Sequence, residues 1–157
     1  MIKDPFMQAA LEEALRGLSE GGIPIGSVLI KDGEILGRGH NRRVQDDDPI
    51  LHAEIDFLKN VGRIGDYSGT ILYSTLMPCY LCAGAAVQFH IPKVIAGEAR
   101  TFAGARAFME EHGIEVIDFD LNECKALMAE FIRSHSTLWN EDIGQGMTLQ
   151  RCMSQKK

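Results

Sequence analysis

Apolar positions recur with a helical period through the first twenty residues. Phe6, Ala10, Leu11, Ala14, Leu15 and Leu18 share one stripe, which predicts an amphipathic helix over residues 4–20. Asp4 can cap it, Pro5 suits its first position, and Gly21-Gly22 ends it. The period then falls to two. Residues 25–31 and 34–40 read as strands joined by Asp32-Gly33, a strong hairpin signal. Asn41 follows at the strand end, where a turn role and a functional role are equally open. Residues 42–49 read as a polar loop, and its run Asp46-Asp47-Asp48 as a solvated surface.

A helical pattern returns over 52–61, with Ile55, Leu58 and Val61 on one side and Gly62 as the stop. Residues 70–75 read as a buried strand, and Pro78 opens a helix over 79–89. Gly84, Ala85 and Ala86 within it are small enough for a close neighbour. Next come a short strand at 93–97, a helix at 104–112 stopped by Gly113, and a strand at 114–119. Asp120, with Glu123 three residues on, is expected to start a helix reaching 134 through a capping box. Leu121, Leu127, Met128, Phe131 and Ile132 form its apolar side, and Cys124 reads as a core filler. Residues 137–144 form one or two further helical turns around the single tryptophan, Trp139, and 146–157 a polar, mobile tail.

Helix, hairpin, then alternating helix and strand is an α/β order. It predicts one domain over 1–157 with a three-layer α/β/α architecture around a central mixed five-stranded sheet. The later strands should be parallel and joined by right-handed crossovers.

The chain has 157 residues, a net charge of −6 and a pI near 5.3, which argues against a duplex or tRNA partner. No stretch reads as a membrane span or a secretion signal. Four cysteines, two of them closely spaced, fit a reducing cytoplasm better than a disulfide framework.

Two stretches carry the chemistry: His52-Ala53-Glu54 and Pro78-Cys79-Tyr80-Leu81-Cys82. One imidazole and two thiolates supply three ligands to zinc and leave a fourth position for water, the mark of a catalytic zinc. Glu54, two residues after the histidine, is placed to move protons to and from that water. Cys79 and Cys82, three apart, share the first turn of their helix, where the amides favour thiolates. Alone, a C-x-x-C also suits a structural zinc site, a redox pair or two core cysteines. A structural site needs a fourth nearby ligand, and Cys124 and Cys152 are far away in sequence. His40, His90, His112 and His135 have no ligand spacing. H-x-E followed by P-C-x-x-C is a signature of zinc-dependent base deaminases.

At this point the chain resembles the cytidine-deaminase-fold superfamily, and within it the fungal-type cytosine deaminases that act on the free base. The likeness spans about residues 5–145. It rests on the two stretches above, Gly21-Gly22-Ile23-Pro24-Ile25-Gly26, Gly37-Arg38-Gly39-His40-Asn41, Gly97-Glu98 with Phe102, and Trp139-Asn140-Glu141-Asp142-Ile143-Gly144. The resemblance implies hydrolytic deamination of free cytosine, one zinc per chain, a homodimer, and a lid and tail at 137–157. It implies that Asn41 and the N–H of Ala53 bond the pyrimidine and that Asp142 accepts from its amino group. Phe102, Trp139 and Ile143 would wall the pocket. Met77 and Tyr80 stand where those enzymes have Ser and Asp, and the Ser position touches substrate there. Another small amino-heterocycle, such as guanine, a pterin, a triazine or a modified pyrimidine, is therefore a rival substrate. A tRNA adenosine deaminase and a non-catalytic zinc module are more distant alternatives.

Overall fold

The computed structural model describes residues 2–145; the expected tail at 146–157 lies outside the described residues. The elements run α1 (Pro5–Ser19), β1 (Gly26–Lys31), β2 (Glu34–His40), α2 (Ala53–Val61), β3 (Thr70–Ser74), α3 (Tyr80–Gln88), β4 (Lys93–Ala96), α4 (Arg106–Glu111), β5 (Glu115–Asp118), α5 (Asn122–Ser134) and α6 (Ser136–Asp142).

The five strands form one mixed sheet in the order β2-β1-β3-β4-β5. β1 runs antiparallel to both β2 and β3, while β3, β4 and β5 are mutually parallel. Asp32 (φ 52°) and Gly33 (φ 76°) both take left-handed backbone, the geometry of a tight two-residue hairpin. Alternation along β1 then sorts its side chains onto two faces. Val28 and Ile30 join Met7, Ala9, Ala10 and Tyr73 under α1, while Leu29 joins Phe57, Leu72, Ala83 and Met109 under α2, α3 and α4. A third apolar cluster brings Ile23, Ile25, Ala53, Leu76, Met128, Phe131 and Trp139 together, with residues from α2, α5 and α6 among them. This is the expected α/β fold. Among the described residues, no helix is long and apolar enough to cross a membrane.

Several local expectations are corrected. The buried face of α1 is Met7, Ala9, Ala10, Glu13, Ala14 and Gly17, whereas Leu15 and Leu18 are exposed. Close approach selects the small residues: a Cβ on Gly26 would lie 2.0 Å from the Ala10 carbonyl oxygen. Helix α4 starts at Arg106, because Gly104 has φ 65° and the Ala105 N–H is bound to the Pro78 carbonyl. Asp120 does not cap α5. Its backbone is left-handed (φ 47°), its carboxylate pairs with Lys125 at 2.8 Å, and Leu121 takes the cap position.

Glycine at one strand position helps to place the site. A Cβ on Gly39 would lie 2.4 Å from Phe57 N and 2.7 Å from the Ala53 carbonyl oxygen. Only a bare backbone lets the first turn of α2 press onto β2 here.

Candidate active site

His52 and Cys79 do not open their helices, as the pattern suggests, but stand one residue before them as the caps of α2 and α3. Cys82 lies in the first turn of α3. Both helix starts therefore converge on one point. His52 Nδ1 is 3.4 Å from Cys79 Sγ and 3.6 Å from Cys82 Sγ, and all three ligand atoms lie within 4.8 Å of one another. A tetrahedral zinc with ordinary Zn–N and Zn–S bonds requires N···S separations of about 3.5 Å. The side chains thus fit the ion, and His52, Cys79 and Cys82 could hold it. Among the described residues no other histidine, cysteine or acidic cluster meets this geometry.

In the metal-free cluster the protons are unevenly shared. The Cys82 thiol, with burial opposing and His52 assisting, pulls Cys79 down to about 4. Burial, followed by the Cys79 sulfur, pushes Cys82 well above its ordinary value. Burial opposes charge on the His52 ring, but Cys79, Asp142 and Glu54 outweigh it and hold its proton up to about 9. Zinc binding must displace these protons.

Glu54 sits in the first turn of α2, 4% exposed, and accepts a 2.7 Å hydrogen bond from Ser74 Oγ at the end of β3. Burial first, then the charge on Cys79, raises its pKa. A carboxyl so placed is poised to hold and release a proton.

Asn41 and Asp142, 101 residues apart, meet across the pocket. Asn41 is buried; its Nδ2 donates to Asp142 Oδ1 at 3.0 Å, and its Oδ1 accepts from the Arg43 N–H at 3.1 Å. Asp142 Oδ1 also lies 3.5 Å from His52 Nε2, the ring nitrogen turned away from the sulfurs. Burial raises the Asp142 pKa, against the pull of His52, Asn41 and Arg43.

These groups border a small cavity of about 20 Å³. Asn41, Ala53, Met77, Phe102, Trp139, Asp142 and Ile143 all line it, together with His52, Glu54 and Cys79. Phe102 and Trp139 meet edge to face with ring centres 6.1 Å apart. Sequence reasoning missed Ile25 and Leu76 as lining residues. Both fall inside or beside stretches that carried the motifs, but as apolar residues near a strand end they read as core. Cys82 is buried and does not line the cavity. Tyr80 is exposed and does not line it either.

Residues 2–98 match the cytidine and deoxycytidylate deaminase zinc-binding region. The chain is 43% identical over 142 residues to a cytosine deaminase of Candida albicans, spanning 88% of this chain and 95% of that one. A solved structure from work on A-to-I editing by tRNA:A34 deaminases superposes with a TM-score of 0.61 at 30% identity, covering 73% of this chain and 96% of that one. Guanine deaminase from Bacillus subtilis superposes with a TM-score of 0.55 at 32% identity, over 61% of this chain and 64% of that one.

Proposed function

The chain belongs to the cytidine and deoxycytidylate deaminase zinc-binding family, and from that premise we propose that it deaminates a free nucleobase, cytosine to uracil and ammonia. The observation that carries this reading is the closure of the pocket by α6. Trp139 and Asp142 of α6, with Ile143 just after it, wall the same small pocket that His52 and Glu54 line. Aromatic faces and a few placed polar groups suit a small planar heterocycle.

The chemistry adds water and expels ammonia: a C–O bond forms at the amino-bearing ring carbon and the C–N bond breaks. When bound, zinc supplies a water acidified towards neutral pH. Glu54 takes a proton as water attacks and passes it to the adjacent ring nitrogen, then takes the second proton from the new hydroxyl on the ring carbon and delivers it to the departing amino group. Asp142 accepts from the substrate's amino group, and Asn41 bonds the ring. The Ala53 N–H, one of the first-turn amides that a helix leaves without an intrahelical partner, donates to the ring carbonyl. Phe102, Trp139 and Ile143 wall the base and exclude bulk water.

One observation favours a second reading. Met77 is 1% exposed and lines the pocket, so a thioether meets the base where the resembled enzymes have a hydroxyl. Another small amino-heterocycle, guanine included, is that alternative. The net charge of −6 speaks against a tRNA substrate. Exposed Tyr80, Leu81 and Phe89 on and beside α3 suit a homodimer interface next to the site. Ammonia release across free bases, nucleosides and tRNA tests the proposal. Cytosine turnover is expected, and turnover of guanine without cytosine would replace it with the second reading. Light scattering of the purified protein tests the dimer.

A further inference from the structure

Arg43 follows two residues after the proposed ring-binding Asn41, yet it does not face the pocket. Its side chain is only 10% exposed and reaches three places at once. Nε donates to the Pro49 carbonyl at 2.8 Å, Nη1 to Asp142 Oδ1 at 3.4 Å, and Nη2 lies 3.6 Å from Glu141 Oε1. Its backbone N–H binds Asn41 Oδ1, which leaves Asn41 Nδ2 directed at Asp142. One residue therefore orients Asn41 through its main chain and Asp142 through its side chain.

The electrostatics of α6 give this arrangement a purpose. Glu141 and Asp142 occupy its last turn, where helix carbonyls already concentrate negative charge, and that turn holds no basic residue. Arg43, from the loop after β2, brings a cation to that end. The planar guanidinium serves several acceptors in fixed directions; a lysine ammonium carries the charge without the fork.

We propose that Arg43 is a positioning residue that latches α6 over the pocket and holds Asn41 and Asp142 in register for the base. The inference rests on the deaminase reading for its kinetic consequences, but the latch has a readout of its own. Trp139 is the single tryptophan of the chain and sits in α6, so its fluorescence reports whether that helix is seated.

The test compares the zinc-loaded full-length protein with Arg43→Gln and Arg43→Lys. If the closed pocket is only fractionally populated, apparent affinity falls by that fraction while the chemistry of the closed state is unchanged. Arg43→Gln is therefore expected to raise KM for the base about 10-fold, with a smaller change in kcat. Acrylamide quenching of Trp139 is expected to rise about twofold as α6 opens locally. Arg43→Lys keeps a cation and should fold where the glutamine variant does not. It is expected to give intermediate values of both quantities. Wild-type quenching and wild-type KM in both variants, even with a lowered melting temperature, would reduce Arg43 to a structural ion pair and overturn the proposal. If the wild type turns over no base, the functional reading fails, and quenching alone still decides the latch.

Discussion

Asp142 Oδ1 lies 3.5 Å from His52 Nε2, on the side of the ring opposite the two sulfurs. A carboxylate behind a metal-bound imidazole fixes the ring's orientation and raises its basicity. Asp142 therefore faces two ways, towards the ligand and, in the proposed reaction, towards the substrate's amino group. Asp142→Ala is expected to weaken zinc binding about 10-fold or more, as loss of such an outer partner does. Competition with a chromophoric chelator reads this without any assay of activity. Unchanged affinity would leave Asp142 a role at the substrate alone.

Glu54→Gln separates proton transfer from structure. The amide oxygen can accept the Ser74 hydroxyl as the carboxylate does at 2.7 Å, so the buried hydrogen bond survives. The amide cannot carry protons, and kcat is expected to fall about 10²–10⁴-fold, the usual scale of a general acid–base contribution. Elemental analysis should still find one zinc per chain. Full activity in this variant would remove Glu54 from the mechanism.

Among the cysteines of the described residues, zinc removal should unmask Cys79 selectively. In the metal-free protein Cys79 is half-buried and its thiol is held down to about 4, so it is a thiolate throughout the neutral range. Cys82 is buried and its thiol is raised, while burial pushes Cys124 up to about 12. Because the thiolate is the nucleophile, iodoacetamide at pH 6 should label Cys79 ahead of both. The rate should hold steady from neutral pH downward and drop only as pH falls through about 4. Bound zinc should suppress the labelling. Peptide mass mapping checks each statement, and preferential labelling of Cys124 would refute them.

What the chain disclosed in advance depended on how local the signal was. His52, Glu54, Cys79 and Cys82 were legible because each motif fits within one helix turn, and Asp32-Gly33 fixed the hairpin through its backbone preference. Asn41 and Asp142 are isolated polar residues far apart in sequence, so only a family likeness could pair them. Arg43 escaped notice because its acceptors lie at residues 49, 141 and 142. The face of α1 was misread for a packing reason. Its period allowed two adjacent apolar stripes, and the sheet took the one bearing small residues, leaving Leu15 and Leu18 outside.

His40 is held by carboxylates on both ring nitrogens, with Glu13 at 2.9 Å from Nδ1 and Glu20 at 2.9 Å from Nε2. The clamp ties α1 to the end of β2, and the His40 N–H adds a bond to Asp56 of α2 at 3.1 Å. His40→Leu would leave the buried Glu13 carboxylate only the exposed Arg16 at 4.0 Å, and removing one member of a buried pair costs about 3 kcal/mol or more. Urea unfolding should show a lowered midpoint at unchanged slope. Replacing Glu13 by Leu as well should restore part of the loss, since the stranded charge goes with it. The clamp also gives stability an acid limb. The His40 hydrogen bond holds the Glu20 carboxyl below its ordinary value of 4.5. Its contribution is present above that pH and is lost as pH falls through the depressed folded value. In the single variant this part of the acid dependence should shrink; an acid limb identical to wild type would mean that Glu20 gains nothing from the ring.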